Sequence, residues 1–231
     1  MNYLDLPVYR HKELILEALE SNQAVVVESP TGSGKTTQLP VILHEAGYAR
    51  GGIIGVTQPR RIAALSVSEF IARQLGTELP GLVGYKMRFE DRTNRDTRIK
   101  IMTDGILLQE MKLDPWLSRY SILTVDEAHE RSLNIDFILG LLKRVMESRR
   151  DFKVIVSSAT INAEVFSEYF GECPVVKIDA QTYPVTLIYD PPILEGGGSL
   201  GAQEAILSKI DAIVQRFIGE RREGDILVFL P

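Results

Sequence analysis

Ala24-Val-Val-Val-Glu-Ser-Pro-Thr-Gly-Ser-Gly-Lys-Thr36 sets an apolar run, a glycine-rich turn and a Lys-Thr pair in immediate succession. The run Ala24–Glu28 lacks apolar/polar alternation, as strands buried on both faces do. The residues after the turn predict a helix over Thr36–Ala46. A strand entering and a helix leaving is the setting that a phosphate loop requires. Gly32 and Gly34 let the backbone approach phosphate oxygens closely, the successive amides point inward, and the helix N-terminus adds a favourable dipole. Lys35 is placed to reach the β- and γ-phosphates, and the Thr36 hydroxyl to hold Mg²⁺. The strict pattern has glycine six residues before the lysine, and this sequence has Ser29 there.

A phosphate loop alone describes an NTPase or a kinase, and the next acidic pair narrows the choice. Ser121-Ile-Leu-Thr-Val-Asp126 predicts a strand ending in an acid, followed by Glu127-Ala-His129. An acid at the carboxyl end of a buried strand beside the phosphate-loop strand can orient Mg²⁺, which is the role expected of Asp126. Glu127 is placed to take a proton from an attacking water as general base.

Further out, short β-rich apolar runs alternate with helix-like segments. Strands are predicted at Ala24–Glu28, Ile53–Thr57, Ile99–Thr103, Ile122–Asp126, Val154–Ser158, Val175–Ile178 and Ile226–Leu230. Helices are predicted at Lys12–Leu19, Thr36–Ala46, Ile62–Gln74, Gly105–Met111, Ile135–Glu147, Ala163–Phe170 and Ala202–Phe217. Repeated β-α order reads as an α/β fold with a mainly parallel sheet and helices on both faces, where ligands bind at the carboxyl ends of the strands. Asp190-Pro-Pro-Ile-Leu-Glu-Gly-Gly-Gly-Ser199 is a loop rich in breakers. The helix and strand after it are expected to begin a second unit.

Composition excludes several classes. With 231 residues, 45% of them hydrophobic, the chain has ample core for a globular domain. No apolar run approaches the ~20 residues of a membrane helix, and Met1–Arg10 carries no apolar segment behind a basic stretch, so no membrane association and no secretory signal are expected. The single Cys173 offers neither disulfide nor metal cluster and fits a cytoplasmic setting. Net charge is −5, from 26 Lys+Arg and 31 Asp+Glu, which argues mildly against a nucleic-acid binder. The charge is uneven, however: Lys86, Arg88, Arg92, Arg95, Arg98 and Lys100 crowd one short stretch.

Asp126-Glu-Ala-His129, read with the phosphate loop, resembles the DEAH-box helicases of superfamily 2. Thr57-Gln-Pro-Arg-Arg-Ile-Ala-Ala64 is similar to that family's motif Ia, Thr103-Asp-Gly-Ile-Leu-Leu108 to motif Ib, and Ser158-Ala-Thr160 to motif III. Tyr183-Pro-Val185 and Gly224-Asp-Ile-Leu-Val-Phe-Leu-Pro231 resemble the entry to a second RecA-like domain and its motif IV. Arg119-Tyr-Ser and Glu130-Arg-Ser-Leu are typical of the RNA-acting branch. The resemblance covers nearly the whole chain, in motif order and spacing.

It implies a RecA-like P-loop NTPase domain over 1–180 and an incomplete start of a second such domain over 181–231. Thr31, Gly32, Ser33, Gly34, Lys35, Thr36 and Thr37 would bind ATP. Thr36, Asp126 and Glu127 would serve Mg²⁺ and water, while His129, Ser158 and Thr160 would couple hydrolysis to strand movement. Arg60, Arg61, Thr103 and Asp104, with Arg88 and Phe89 in a hook-like turn, would lie along the nucleic-acid backbone. Contacts restricted to that backbone suit sequence-independent tracking. The substrate so implied is single-stranded or structured RNA. A DNA-directed helicase of the same group is the alternative, as is a nucleotide- and RNA-binding module without turnover. Two departures stand out. Where many relatives place an adenine-stacking arginine, this chain has Phe70, whose ring can also stack on a base or can belong to the core beside Val67 and Ile71. Motifs V and VI, with their arginine finger, and the accessory domains have no counterpart before Pro231, so the chain is expected to carry an incomplete motor.

Overall fold

The structure is a computed structural model describing residues 3–159, 163–180, 185–192, 199–221 and 223–230. The chain divides into two compact units, Met1–Thr182 and Tyr183–Pro231. The first unit contains β1 (Ala24–Glu28), β2 (Ile53–Gln58), β3 (Val83–Met87), β4 (Glu90–Arg92), β5 (Ile99–Thr103), β6 (Tyr120–Val125), β7 (Lys153–Ser158) and β8 (Val175–Lys177). Its helices are α1 (Pro7–Arg10), α2 (Lys12–Ser21), α3 (Lys35–Glu45), α4 (Arg61–Gln74), α5 (Asp104–Leu113), α6 (Leu133–Ser148) and α7 (Ala163–Tyr169).

The strands form one sheet in the order β4-β3-β5-β2-β6-β7-β1-β8, parallel throughout except for the β3–β4 hairpin. Side chains alternate across a strand, and β1 shows the consequence. Val25 and Val27 join a core with α1–α4, whereas Ala24 and Val26 join a core with α5–α7. Both layers are apolar, which explains why β1 reads as an unbroken hydrophobic run up to Glu28. This is a RecA-like α/β unit, with helices on both faces of a mostly parallel sheet.

Three features of the sheet depart from the sequence reading. The hairpin β3–β4 was not foreseen: Gly84 and Lys86 break the apolar run of β3, and β4 is the wholly polar Glu-Asp-Arg of a sheet edge. The strand bearing Asp126 at its end is not adjacent to the phosphate-loop strand, because β7 lies between β6 and β1. In the second unit α8 spans Ser199–Gly219, but the expected strand at Ile226–Leu230 is irregular. A strand exists only through pairing, and no strand pairs with this run among the described residues. Residues 185–192 are also irregular. Tyr183, the Ile193–Gly198 portion of the breaker-rich loop, and Pro231 lie outside the described residues.

Candidate functional site

The phosphate-loop residues sit between β1 and α3, as the order strand-turn-helix demands. Gly32 and Gly34 hold φ values of +84° and +94°, a left-handed region that favours glycine. At Gly34 space matters as well, since a Cβ there would stand 3.0 Å from the Leu6 Cδ1 atom. The segment before α1 therefore packs against the loop, and the Val8 amide donates to the Ser33 carbonyl at 3.2 Å. Thr31 and Gly32 are exposed, whereas Ser33 and Lys35 are buried. The Lys35 ammonium donates to the Ser29 carbonyl and, at 3.1 Å, to that of Pro30. Burial lowers its pKa, against the opposing pull of Asp126 and Glu127. The Thr37 hydroxyl lies 3.4 Å from the Gly34 carbonyl.

Asp126 is fully buried and accepts hydrogen bonds from three separate elements. Thr36 of α3 donates at 2.5 Å and Gln58 of β2 at 2.6 Å, both to Oδ2, while Ser157 of β7 donates at 2.7 Å to Oδ1. A buried carboxylate needs such partners to remain charged. The sequence reading named Thr36 but missed Gln58 and Ser157. The available signal was a polar side chain at the carboxyl end of an otherwise apolar buried strand.

Glu127 follows in the left-handed region at φ +53°, a conformation that costs a non-glycine residue about 1–2 kcal/mol and turns the chain sharply out of β6. Burial first, and then the Asp126 charge, push its carboxyl above the ordinary value, against opposing contributions from His129 and Lys35. The Ala159 amide donates to His129 Nδ1 at 3.2 Å, so that nitrogen bears the lone pair and the ring proton sits on Nε2. Nε2 faces Glu127 Oε2 at 3.3 Å. His129 thus links the acidic turn to the end of β7. That end also touches the phosphate loop, because the Ser29 amide donates to the Ser158 carbonyl at 3.2 Å. Ser158 is buried and pairs in register with Glu28. Thr160 lies outside the described residues.

The residues expected along a nucleic acid are more dispersed. Arg60 and Arg61 are exposed at the start of α4, and Arg60 pairs with Glu130 Oε1 at 3.0 Å. Arg88 and Phe89 form the β3–β4 turn; Phe89, at φ +71°, is 91% exposed, and the Arg88 guanidinium lies 4.9 Å from its ring centre. Thr103 ends β5 half-buried, but Asp104 is only 4% exposed, so its carboxylate does not face solvent as a backbone contact would. Burial raises its pKa to about 6, with Glu130 and Asp126 adding to the rise and the Thr57 hydroxyl opposing it. Part of the basic stretch is tied up by neighbouring groups. Lys100 is buried against Glu110, Lys86 pairs with Asp91 at 2.9 Å, and the Arg98 guanidinium donates to the Arg95 carbonyl at 3.0 Å. Phe70 is 44% exposed on α4, so it does not belong to the core.

The chain matches the DEAD/DEAH box helicase family over residues 9–168. It belongs to that family. Among curated relatives it is 54% identical, over 230 residues, to the ATP-dependent RNA helicase HrpA of Borreliella burgdorferi, covering 100% of this chain and 27% of that protein. It is 47% identical over 227 residues to HrpA of Escherichia coli, and 49% identical over 226 residues to the HrpA homolog of Haemophilus influenzae. These alignments cover 98% and 97% of this chain, and 17% of each of those proteins. The chain therefore spans about a quarter of the first relative's length and less of the other two. All the phosphate-loop and acidic residues above fall inside the segment that matches the DEAD/DEAH box helicase family. No helix among the described residues is long and apolar enough to cross a membrane.

Proposed function

We propose that this chain is the ATP-binding portion of an ATP-dependent RNA helicase of the DEAH-box type. One observation carries the reading: Asp126 accepts from Thr36, Gln58 and Ser157. A single buried carboxylate thereby joins the phosphate-loop helix, the strand leading to Arg60 and the strand leading to Ser158. Such a junction suits a motor in which nucleotide chemistry must move other segments. The names of the relatives, ATP-dependent RNA helicase, supply ATP and RNA as nucleotide and substrate.

Lys35 would exchange its two loop carbonyls for phosphate oxygens, and the residues from Thr31 to Thr37 would cradle the phosphate chain. Mg²⁺ fits the donor set, because the Asp126 carboxylate and the Thr36 hydroxyl are hard oxygen donors within hydrogen-bond distance of each other. When bound, the ion would neutralise charge on the phosphates. Glu127, raised in pKa yet still half-exposed, would accept the proton of the attacking water, and the His129 Nε2 proton would orient it. Phe70, exposed on α4, would stack on the base. Arg60, Arg61, Thr103, Arg88 and Phe89 would follow the RNA backbone. Residues 181–231 would begin a second RecA-like domain, and the setting would be the cytoplasm.

The test is calorimetric titration with ADP and Mg²⁺. Lys35→Ala is expected to weaken binding at least tenfold, about 1.4 kcal/mol. Equal affinity of variant and wild type sinks the phosphate-loop assignment.

A further inference from the structure

Arg60 and Glu130 form an exposed contact between the segment leading out of β2 and the acidic turn. The two segments are tied twice. Gln58 donates to Asp126 at 2.6 Å in the interior, and two residues later Arg60 meets Glu130 at 3.0 Å near the surface. The side chains of the outer pair differ in access, with Arg60 77% exposed and Glu130 33%. Arg131, the next residue, does not compete for Glu130, because its guanidinium is held by both oxygens of Asp136 at 2.6 and 3.2 Å. Glu130 is thus paired with Arg60, while the exposed arginine presents the rest of its donor fork to solvent.

We propose that Glu130 is a positioning residue that serves as a stand-in for a nucleic-acid phosphate at Arg60. On binding, a backbone phosphate takes over the Arg60 guanidinium and the Glu130 carboxylate is given up. The inference rests on the reading of Arg60 as a nucleic-acid residue. Its physical basis is that a carboxylate and a phosphate oxygen are equivalent acceptors for a guanidinium fork. An exposed ion pair is worth little in water, so a phosphate carrying its own condensed counterions can displace the carboxylate. Once Glu130 is released, its charge is no longer masked.

The experiment is fluorescence anisotropy of a labelled single-stranded oligouridylate with wild type, Glu130→Gln, Arg60→Ala and the double variant over a salt series. Thermal melts accompany each variant. The amide of Glu130→Gln keeps the shape of the side chain and removes its charge, so affinity should rise about two- to fivefold, the range set by an exposed pair. The slope of log affinity against log salt should match wild type, because the number of phosphate contacts is unchanged. Arg60→Ala should weaken binding and flatten that slope by about 0.7. Glu130→Gln should then add nothing in the Arg60→Ala background. Weaker binding or a flatter slope in Glu130→Gln overturns the exchange, because Glu130 would then merely hold Arg60 in its binding pose. A gain that persists without Arg60 also overturns it, as a general effect of net charge. If Arg60→Ala binds like wild type, the nucleic-acid reading of Arg60 fails and the exchange fails with it. If only Arg60→Ala has an effect, the nucleic-acid reading stands and the exchange alone fails.

Discussion

Replacing Asp104 by Asn should stabilise the protein at pH 8 and leave it unchanged near pH 4. The carboxyl is 4% exposed at the N-terminus of α5, and its pKa rises from 3.8 to about 6. Burial is the largest cause, and the negative charges of Glu130 and Asp126 add to it. A raised folded-state pKa means that the folded chain binds this proton more tightly than the unfolded chain. The stabilising contribution is therefore complete below about 3.8 and is lost as pH rises through about 6. A rise from 3.8 to about 6 corresponds to about 3 kcal/mol. The positive end of the α5 dipole favours the charged form by about 0.3–1 kcal/mol, leaving roughly 2 kcal/mol. Asparagine has the shape of the protonated acid and does not titrate, so the variant escapes that loss. Other titrating groups are shared by both proteins and cancel in the difference. In paired thermal melts, a gain of roughly 2 kcal/mol would raise Tm by about 4–8 °C at pH 8. Little difference should appear at pH 4. A variant no more stable than wild type at pH 8, or a gap of equal size at both pH values, would refute the burial argument.

Further outcomes can be checked on the same protein. Phe70→Ala should cost under about 1 kcal/mol of stability, because the ring is 44% exposed, yet weaken ADP binding by roughly 1 kcal/mol if the ring stacks; a large drop in Tm with unchanged affinity would contradict both statements. Glu110→Gln deprives buried Lys100 of its carboxylate and the Tyr120 hydroxyl of its acceptor, so chemical denaturation should register a loss of about 3 kcal/mol. A loss below 1 kcal/mol would mean that water reaches the ammonium. On the proposed function, ATP turnover should rise with pH through a Glu127 pKa above the ordinary carboxylate value, and Glu127→Gln should remove that limb of the profile. An acid limb that persists unchanged in Glu127→Gln would count against Glu127 as the base.

The long buried strands were legible because both faces are covered: β1, β2, β5, β6 and β7 read as mainly apolar runs without strict alternation, and their bounds shifted by at most two residues. The edge hairpin was not legible, since β4 is polar and its strand character comes from pairing Tyr85–Met87 with Glu90–Arg92. The reverse error at Ile226–Leu230 has the same origin, for an apolar run says nothing about its partner. Within the site, the residue types of the phosphate loop and the acidic pair carry their chemistry in short local spacings. What joins them is not local. Gln58 and Ser157 meet Asp126 across 68 and 31 residues of chain. The same holds for charge. Six basic residues between Lys86 and Lys100 read as one patch, yet Lys100 lies inside against Glu110, ten residues on. Sequence spacing registers how many charges there are, and only the fold decides which of them face water.

The sheet order gives these separate contacts a common logic. Along the carboxyl edge the strands run β5, β2, β6, β7, β1. Thr103 ends β5 and Arg60 follows β2, so the residues proposed for RNA occupy one side of that row. Asp126 follows β6, Ser158 ends β7 and the phosphate loop follows β1, on the other side. The two groups adjoin where β2 and β6 pair, with Thr57 opposite Val125. This register obliges Gln58 and Asp126 to lie next to each other. Both described contacts that cross from the Gln58–Arg60 segment to the acidic turn, Gln58 to Asp126 and Arg60 to Glu130, lie at that seam. A displacement of Arg60 by a bound strand therefore acts one strand away from the proposed base, through a path with one buried hydrogen bond and one exposed ion pair. The buried bond is costly to break and holds the geometry. The exposed pair is weak enough to exchange. That division of labour follows from the topology, because any other strand between β2 and β6 would separate the two groups by a further ~4.8 Å.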